Sequence, residues 1–321
     1  MRTIWRLRDR HVKDAGRAVQ HMQKALTKMN IQLANVLSDI SGVSGQAILA
    51  AILNGERDPY RLADLKHERV QASREEVARS LEGNWREDVL FELQQAVDSY
   101  QFAHRQMQEC DRKLESYLAS LPTRIPEAAS QPAPAAKKVR KAKKPRGNAP
   151  ALDLKSELKR ICGVDLTSID GIDVMTAQTV ISEIGTDMSR FPTENDFASW
   201  LGLTPSEPLS GGKIVGRGRR KVQNRAASAL RMAASTLLNS KSYLGGRYRH
   251  LRRQLPTLAA AVKAMAHYLA LLIYRLLTKG QDWVDRGAAK FEQRRAELEL
   301  GHLKSKALAK GFVLTPIAAA S

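Results

Sequence analysis

The chain has 321 residues, 43% of them hydrophobic, with 52 Lys and Arg against 33 Asp and Glu for a formal net charge of +19. That apolar content can bury a core, which excludes a chain disordered throughout, and two distant cysteines, Cys110 and Cys162, outside any Cys-x-x-Cys exclude a disulfide framework or a zinc site. The basic excess points to a polyanionic partner, nucleic acid before an anionic membrane surface.

The N-terminal MRTIWRLRDRHVKDAG carries charge where a signal peptide needs an apolar run, so a cytoplasmic, nucleoid-associated location is expected. From Val12 the apolar positions Val12, Ala15, Val19, Met22, Leu26, Met29, Leu33, Val36 and Ile40 alternate steps of three and four. That spacing predicts a long coiled-coil helix over about four heptads. The DISGVSG turn at Asp39–Gly45 supplies two glycines to end it. GQAILAAILNGERDP then reads as a short apolar helix closed by Gly55 and Pro59. A second long helix is expected over Arg86–Ser120, with Leu90, Leu93, Val97, Tyr100, Met107, Leu114 and Leu118 on one stripe. His104 and Asp111 fall on the same seam, where polar residues fix register. The two helices and the tip between them form an antiparallel arm that can also serve oligomerisation.

Residues 122–150 lose the hydrophobic period and become Pro, Ala and Lys. A flexible linker is expected, and its cluster Lys137, Lys138, Arg140, Lys141, Lys143, Lys144 and Arg146 suits salt-dependent phosphate contacts. Ser168–Gly185 then reads as a helix end, a tight turn at Gly171 and a helix carrying Val174, Ala177, Val180, Ile181 and Ile184. This pattern is close to a helix-hairpin-helix, although Asp173 stands where a second glycine would, and a purely structural hairpin stays open. Asp170, Asp173, Glu183 and Asp187 are better explained by capping and helix surface than as metal ligands, so no metal site is expected. Further on, a helix is expected over Val222–Asn239. Lys241–Arg253 follows as a basic cluster with Tyr243 and Tyr248 placed for stacking. Leu258–Leu277 is apolar enough to suggest a membrane span, but Lys263, His267 and Arg275 interrupt it and favour a buried core helix.

The chemistry concentrates in LTPSEPLSGGKIVGRGRRKVQNRAASALR, residues 203–231. Ser210 precedes Gly211 and Gly212, which let backbone N–H groups approach an anion, and Lys213, Arg217, Arg219, Arg220, Lys221, Arg225 and Arg231 supply cations. Between Glu207 and Asp282 there is no acidic residue and there are fifteen Lys or Arg. No strand-turn-helix context makes GRG a dinucleotide fingerprint, and neither a P-loop nor a Gly-x-Ser-x-Gly elbow is present. What remains is a hydroxyl among cations, the arrangement needed for phosphoryl transfer to serine.

The motifs LGL-x-P, SGGK at Ser210–Lys213, RRKVQNRAASALRMAAS, SKSYLGG-x-YR and AHYLALLIYRLLTKGQ resemble the C-terminal domain of insertion-sequence transposases of the IS-one-ten family. The segment LSDISGVSGQAILAAILNGERDP resembles the connector between that family's two coiled-coil helices. The resemblance implies a DNA recombinase in which a C-terminal serine is joined covalently to cleaved DNA. It also implies a RuvC-like domain that binds Mg²⁺ through carboxylates and a guide RNA; a homo-oligomer through the coiled coil is expected from the heptad seam. By motif position the nucleophile is Ser210, with Ser206 as the alternative. The RuvC-like carboxylates find no counterpart in this chain, which is therefore expected to hold no cofactor of its own and to cut DNA only with that half supplied. The alternative is a non-catalytic remnant that binds DNA or RNA and oligomerises. The expected fold is all-α: a helical arm over 1–121, a linker over 122–150, a compact serine transposase domain over 151–281 and an amphipathic tail over 282–321.

Overall fold

The computed structural model describes residues 1–125, 148–204, 209–210, 213–214, 224–280, 297, 300–301 and 303–314, with the backbone alone for 209–210 and 213–214. The protein is mainly α-helical, as its heptads imply. Its contacts divide it into two compact units, one built on Met1–Tyr117 and the other on Asp153 onwards; residues 148–152 group with the first and 118–125 with the second. The basic cluster of the linker lies outside the described residues. Of the amphipathic tail, residues 303–308 are helical.

The first unit is an antiparallel helical hairpin with a folded tip. Helix α1 (Arg2–Lys28) buries Trp5, Arg8, Ala15, Ala18, Met22, Ala25 and Leu26. Helix α5 (Glu87–Ala119) buries Val89, Leu93, Ala96, Val97, Ala103 and Met107. Both series recur at the spacing of helical turns, so each lies on one helix face. The direction of pairing follows from three contacts. Arg8 meets Asp111, Ala15 packs with Ala103 and Met107, and Lys28 meets Glu92.

The first seam is shorter than its apolar spacing suggests. Helix α1 stops at Lys28, and Asn30 adopts φ 59°. The N–H of Ile31 donates to the Leu26 carbonyl at 2.9 Å and that of Asn30 to Thr27 at 3.0 Å, a Schellman closure with Asn in the left-handed position usually held by Gly. Leu33, Leu37 and Ile40 are still buried, but in a tip core rather than along a seam. That core is completed by α2 (Val43–Leu53), α3 (Pro59–Ala63) and α4 (Arg74–Ser80).

The two tip glycines therefore do not end the first helix. Gly42 is the N-cap of α2, and Gly45 lies in its first turn, where an added Cβ would sit 2.0 Å from the Ile40 carbonyl oxygen. Likewise Pro59 opens α3 instead of closing α2: Asp58 accepts from the Tyr60 N–H at 2.9 Å, and proline suits the first helical turn. A capping box, Ser73 with Glu76, starts α4.

The second unit is a cluster of helices around a central pair. In chain order it contains α6 (Leu154–Cys162), α7 (Val174–Ile184), α8 (Glu194–Trp200), β1 (Leu209–Ser210), β2 (Lys213–Ile214), α9 (Arg225–Thr236), α10 (Tyr243–Gln254) and α11 (Leu258–Lys279). Helix α9 packs on α11; α7 covers α9, while α8 and α10 cover α11. Small residues let α9 approach closely, since Ala226, Ala227, Ala233 and Ala234 are buried with Leu230. By length and composition α11 could cross a membrane. Here it buries Met265, Leu269, Leu272, Ile273 and Leu276 against its neighbours, as expected of a core helix.

Candidate nucleic-acid interface

Two anchors fix the ends of the serine segment. At its start, α8 is closed by a second Schellman turn. The Leu203 N–H donates to the Ala198 carbonyl at 3.0 Å and the Gly202 N–H to Ser199 at 2.9 Å, with Gly202 at φ 71°. The next residue, Thr204, has its carbonyl held by Lys263 Nζ of α11 at 3.1 Å. At its end, the Asn224 side chain accepts from the N–H groups of Ala226 at 2.9 Å and Ala227 at 3.4 Å, capping α9. The segment thus leaves and re-enters the α9–α11 core at defined points.

Between these anchors β1 and β2 pair antiparallel, with Leu209 opposite Ile214 and Ser210 opposite Lys213. This register sets Ser210 and Lys213 as backbone neighbours across a connection of two residues, Gly211 and Gly212. Gly-Gly is among the sequences that favour such a turn. Gly211, Gly212, Arg217, Arg219, Arg220 and Lys221 lie outside the described residues, as does Ser206. Arg225 is the first residue of α9 and is exposed, whereas Arg231, six residues on, is half-buried. They stand on different faces of the helix.

Several cations of the acid-free run have structural duties that sequence reading passed over. Arg249 Nη1 donates to the carbonyls of Leu238 at 3.0 Å and Ser240 at 2.7 Å, tying α10 to the turn before it. Arg275 pairs with Glu194 of α8, with Nη2 to Oε1 at 2.6 Å. That pairing holds the Glu194 carboxyl below its usual range. Near it His267 is pushed down, chiefly by burial and also by Lys263, with Glu194 opposing. Tyr274 donates its hydroxyl proton to the Phe191 carbonyl at 2.9 Å. Tyr248, expected to offer a stacking ring, is instead 1% exposed in the core. The Tyr243 phenol is raised by burial and then by Tyr268. Exposed cations on α10 and just before it are Lys241, Arg252 and Arg253.

The helix-hairpin-helix-like element points partly inward. Gly171 sits at φ 85°, and a Cβ there would lie 3.1 Å from both the Ala233 carbonyl and the Leu237 side chain, so the turn is packed on α9 and the chain after it. Asp173, which replaces the second glycine, accepts from the Thr176 N–H at 2.8 Å and starts α7. Among the described residues no three His, Cys, Asp or Glu side chains come together as a metal site.

Within this helical unit the acid-free run of residues 208–281 gathers the candidate cations, a composition suited to a polyanion. The comparisons are more specific. Residues 165–249 match the family model described as "Transposase IS116/IS110/IS902 family", a span containing every candidate site residue named above. The chain is also 30% identical over 131 residues to a Sinorhizobium fredii protein described as "Putative transposase y4pF/y4sB"; the alignment covers 38% of this chain and 33% of that protein, so it spans about a third of the relative's length. The second unit is therefore similar to a transposase domain.

Proposed function

We propose that the protein acts in DNA transposition, with Ser210 as the nucleophile on a DNA phosphodiester. The observation that carries this reading is the match of residues 165–249 to a transposase family across the segment in which Ser210 pairs with Lys213. In the proposed step Ser210 Oγ bonds to phosphorus as one P–O ester bond of the backbone breaks. The departing deoxyribose oxygen takes up the proton that the serine loses. One ester replaces another, so the DNA can be rejoined by the reverse reaction without an external energy source. Lys213 and the arginines at 217, 219 and 220 are the cations available to stabilise charge on the pentavalent transition state.

The described residues do not supply a metal set, and no step here runs through Mg²⁺. The resemblance assigns metal chemistry to a RuvC-like domain. In this reading the serine step works together with such a domain and with the guide RNA that the family uses. A homo-oligomer through the α1–α5 hairpin is part of the same reading.

The test is a covalent-adduct assay. Labelled DNA carrying element ends is incubated with the chain and Mg²⁺, with and without a separately expressed RuvC-like domain and guide RNA, and separated under denaturing conditions. A DNA-linked protein band that vanishes in Ser210→Ala and persists in Ser206→Ala is the expected result. DNA binding with no band under any complementation would favour the second reading, a non-catalytic nucleic-acid-binding transposase remnant.

A further inference from the structure

Among the described cations of the acid-free run, Arg247 has a half-buried environment that the fold does not explain. It lies on α10, four residues after Tyr243 and so on the same face. Its guanidinium carbon sits 3.9 Å from the centroid of the Tyr268 ring on α11. Nε is buried and, among the described residues, has no hydrogen-bond partner. Neighbouring cations differ: Arg249 has two carbonyl acceptors, Lys263 has one, and Arg275 has a carboxylate.

A buried N–H on a charged group is costly when it lacks an acceptor, and such exceptions in a folded protein call for an explanation. The tyrosine ring compensates for part of the lost hydration by covering one face of the guanidinium. It does nothing for donors in the guanidinium plane, because a ring under the face leaves the edge unsatisfied. A guanidinium oriented by stacking in this way, with no carboxylate partner among the described residues, is a planar fork of the kind that recognises phosphate oxygens through its outer N–H groups. The residue keeps part of its surface exposed, so the site is partly open. Its wall includes Tyr243, whose phenol interacts with Tyr268.

We infer that Arg247, stacked on Tyr268 and bordered by Tyr243, forms a binding site for a backbone phosphate of nucleic acid, separate from the Ser210 strand pair. The inference rests on the nucleic-acid reading above and extends it to a residue on another element. The site binds and does no chemistry. Its role is to hold the strand while the serine segment acts.

Two measurements on the full chain test it. The first is affinity for a short fluorescein-labelled DNA duplex across a salt series, for the parent and Arg247→Gln. Removing one phosphate contact is expected to weaken binding and to lower the slope of log affinity against log salt by about one. A merely structural arginine would lower the melting temperature and leave that slope unchanged, which would overturn the inference. The second uses the unmodified protein, so it does not depend on a variant's folding: an arginine-directed glyoxal reagent is applied with and without the duplex, and Arg247 is followed by peptide mass spectrometry. Modification that the duplex suppresses supports the site. Equal modification with and without DNA, or none in either case, rejects it. Inorganic phosphate at the same phosphate concentration serves as a third arm, and equal protection by it would assign the site to free phosphate and reject the nucleic-acid assignment. Protection at Arg247 without any Ser210-dependent adduct would keep this site and reject the recombinase reading; an adduct with no protection would do the reverse.

Discussion

The two units treat positive charge in opposite ways. In the first, cations meet the unit's own carboxylates: Arg8 with Asp111, Lys13 with Asp9, Lys28 with Glu92 and Arg74 with Asp64. In residues 224–279 of the second, Arg249 and Lys263 meet backbone carbonyls, Arg247 meets an aromatic ring, and Arg275 reaches back to α8 for Glu194. Sequence causes the difference, since residues 208–281 contain no acid. A cation satisfied by a carboxylate adds little to the external field, whereas one held by a carbonyl or a ring keeps its net charge. The first unit thereby satisfies many of its cations internally, whereas the described cations of residues 224–279 largely keep their net charge, in line with the proposed polyanionic partner.

Breaking the buried pair of the first unit should give the largest effect on stability. Arg8 and Asp111 have side chains 3% and 12% exposed, and Arg8 Nη2 also donates to the Asn148 carbonyl at 2.8 Å. Asp111→Ala strands a buried charge and is expected to cost about 3–5 kcal/mol in denaturant unfolding. The double variant Arg8→Leu with Asp111→Leu should recover most of that. If the single variant proves as stable as the parent, the contrast between the units loses its foundation.

The carboxylate that pairs with Arg275 in the second unit should matter less. Glu194→Gln leaves Arg275 with a neutral partner at a partly exposed position, so a loss of about 1–2 kcal/mol is expected. Because the folded-state carboxyl is depressed, the stabilisation is present above the unfolded carboxylate range and is lost as pH falls through the lower folded value. A thermal-melting series run into acid should show the parent losing this contribution, while Glu194→Gln lacks it throughout.

A smaller pH effect is expected in both units at milder acidity. His104 on α5 has a buried Nε2 with no partner among the described residues and lies 4.3 Å, ring to ring, from Tyr100. Burial depresses it, followed by the charge of Arg8, and His267 is depressed chiefly by burial too. A histidine depressed in the folded state binds fewer protons there than when unfolded. Stability therefore declines as pH drops below the ordinary histidine value of about 6.5 and levels off below the folded value. His104→Phe should flatten the part of this decline that belongs to the first unit; an unchanged melting profile would show that the histidine is not the source.

The smallest change in stability should accompany Arg252→Ala with Arg253→Ala, both exposed at the end of α10. Folding should stay within about 0.5 kcal/mol of the parent, yet DNA affinity should fall and its salt slope should become shallower. The same double loss in the first unit, at exposed Arg2 and Arg6, should leave the slope unchanged. Equal effects from both pairs would mean that charge is not sorted between the units as proposed.

Much of the fold could be read from periodicity. The expected second long helix, 86–120, is found over Glu87–Ala119, and the buried helix from Leu258 is found with two more residues at its end. The errors fell at helix ends. Asn30 closes α1 with no glycine to announce it, and Gly42 and Gly45 looked like terminators because their close approach to neighbouring backbone is a long-range fact. Two capping boxes, Ser73 with Glu76 and Thr193 with Asp196, were legible and passed over; they begin α4 and α8. At the candidate site, the Gly-Gly step was read as a close approach for an anion and not as the turn of the β1–β2 pair, and the duties of Arg249, Lys263 and Arg275 could not be inferred from composition.

Sequence by itself determined the helical class, the long α5 seam and the acid-free basic run, because these depend on spacing and residue type along one chain. Only the tertiary structure decided which polar groups are used internally. Arg8 is a seam residue because α5 brings Asp111 to it, and Tyr248 is core because α10 turns that face inward. Arg247 stacks on a ring because α11 places Tyr268 beneath it, and its Nε has no acceptor among the described residues. A side chain's charge belongs to the residue, but whether that charge is neutralised depends on neighbours that folding brings from elsewhere in the chain.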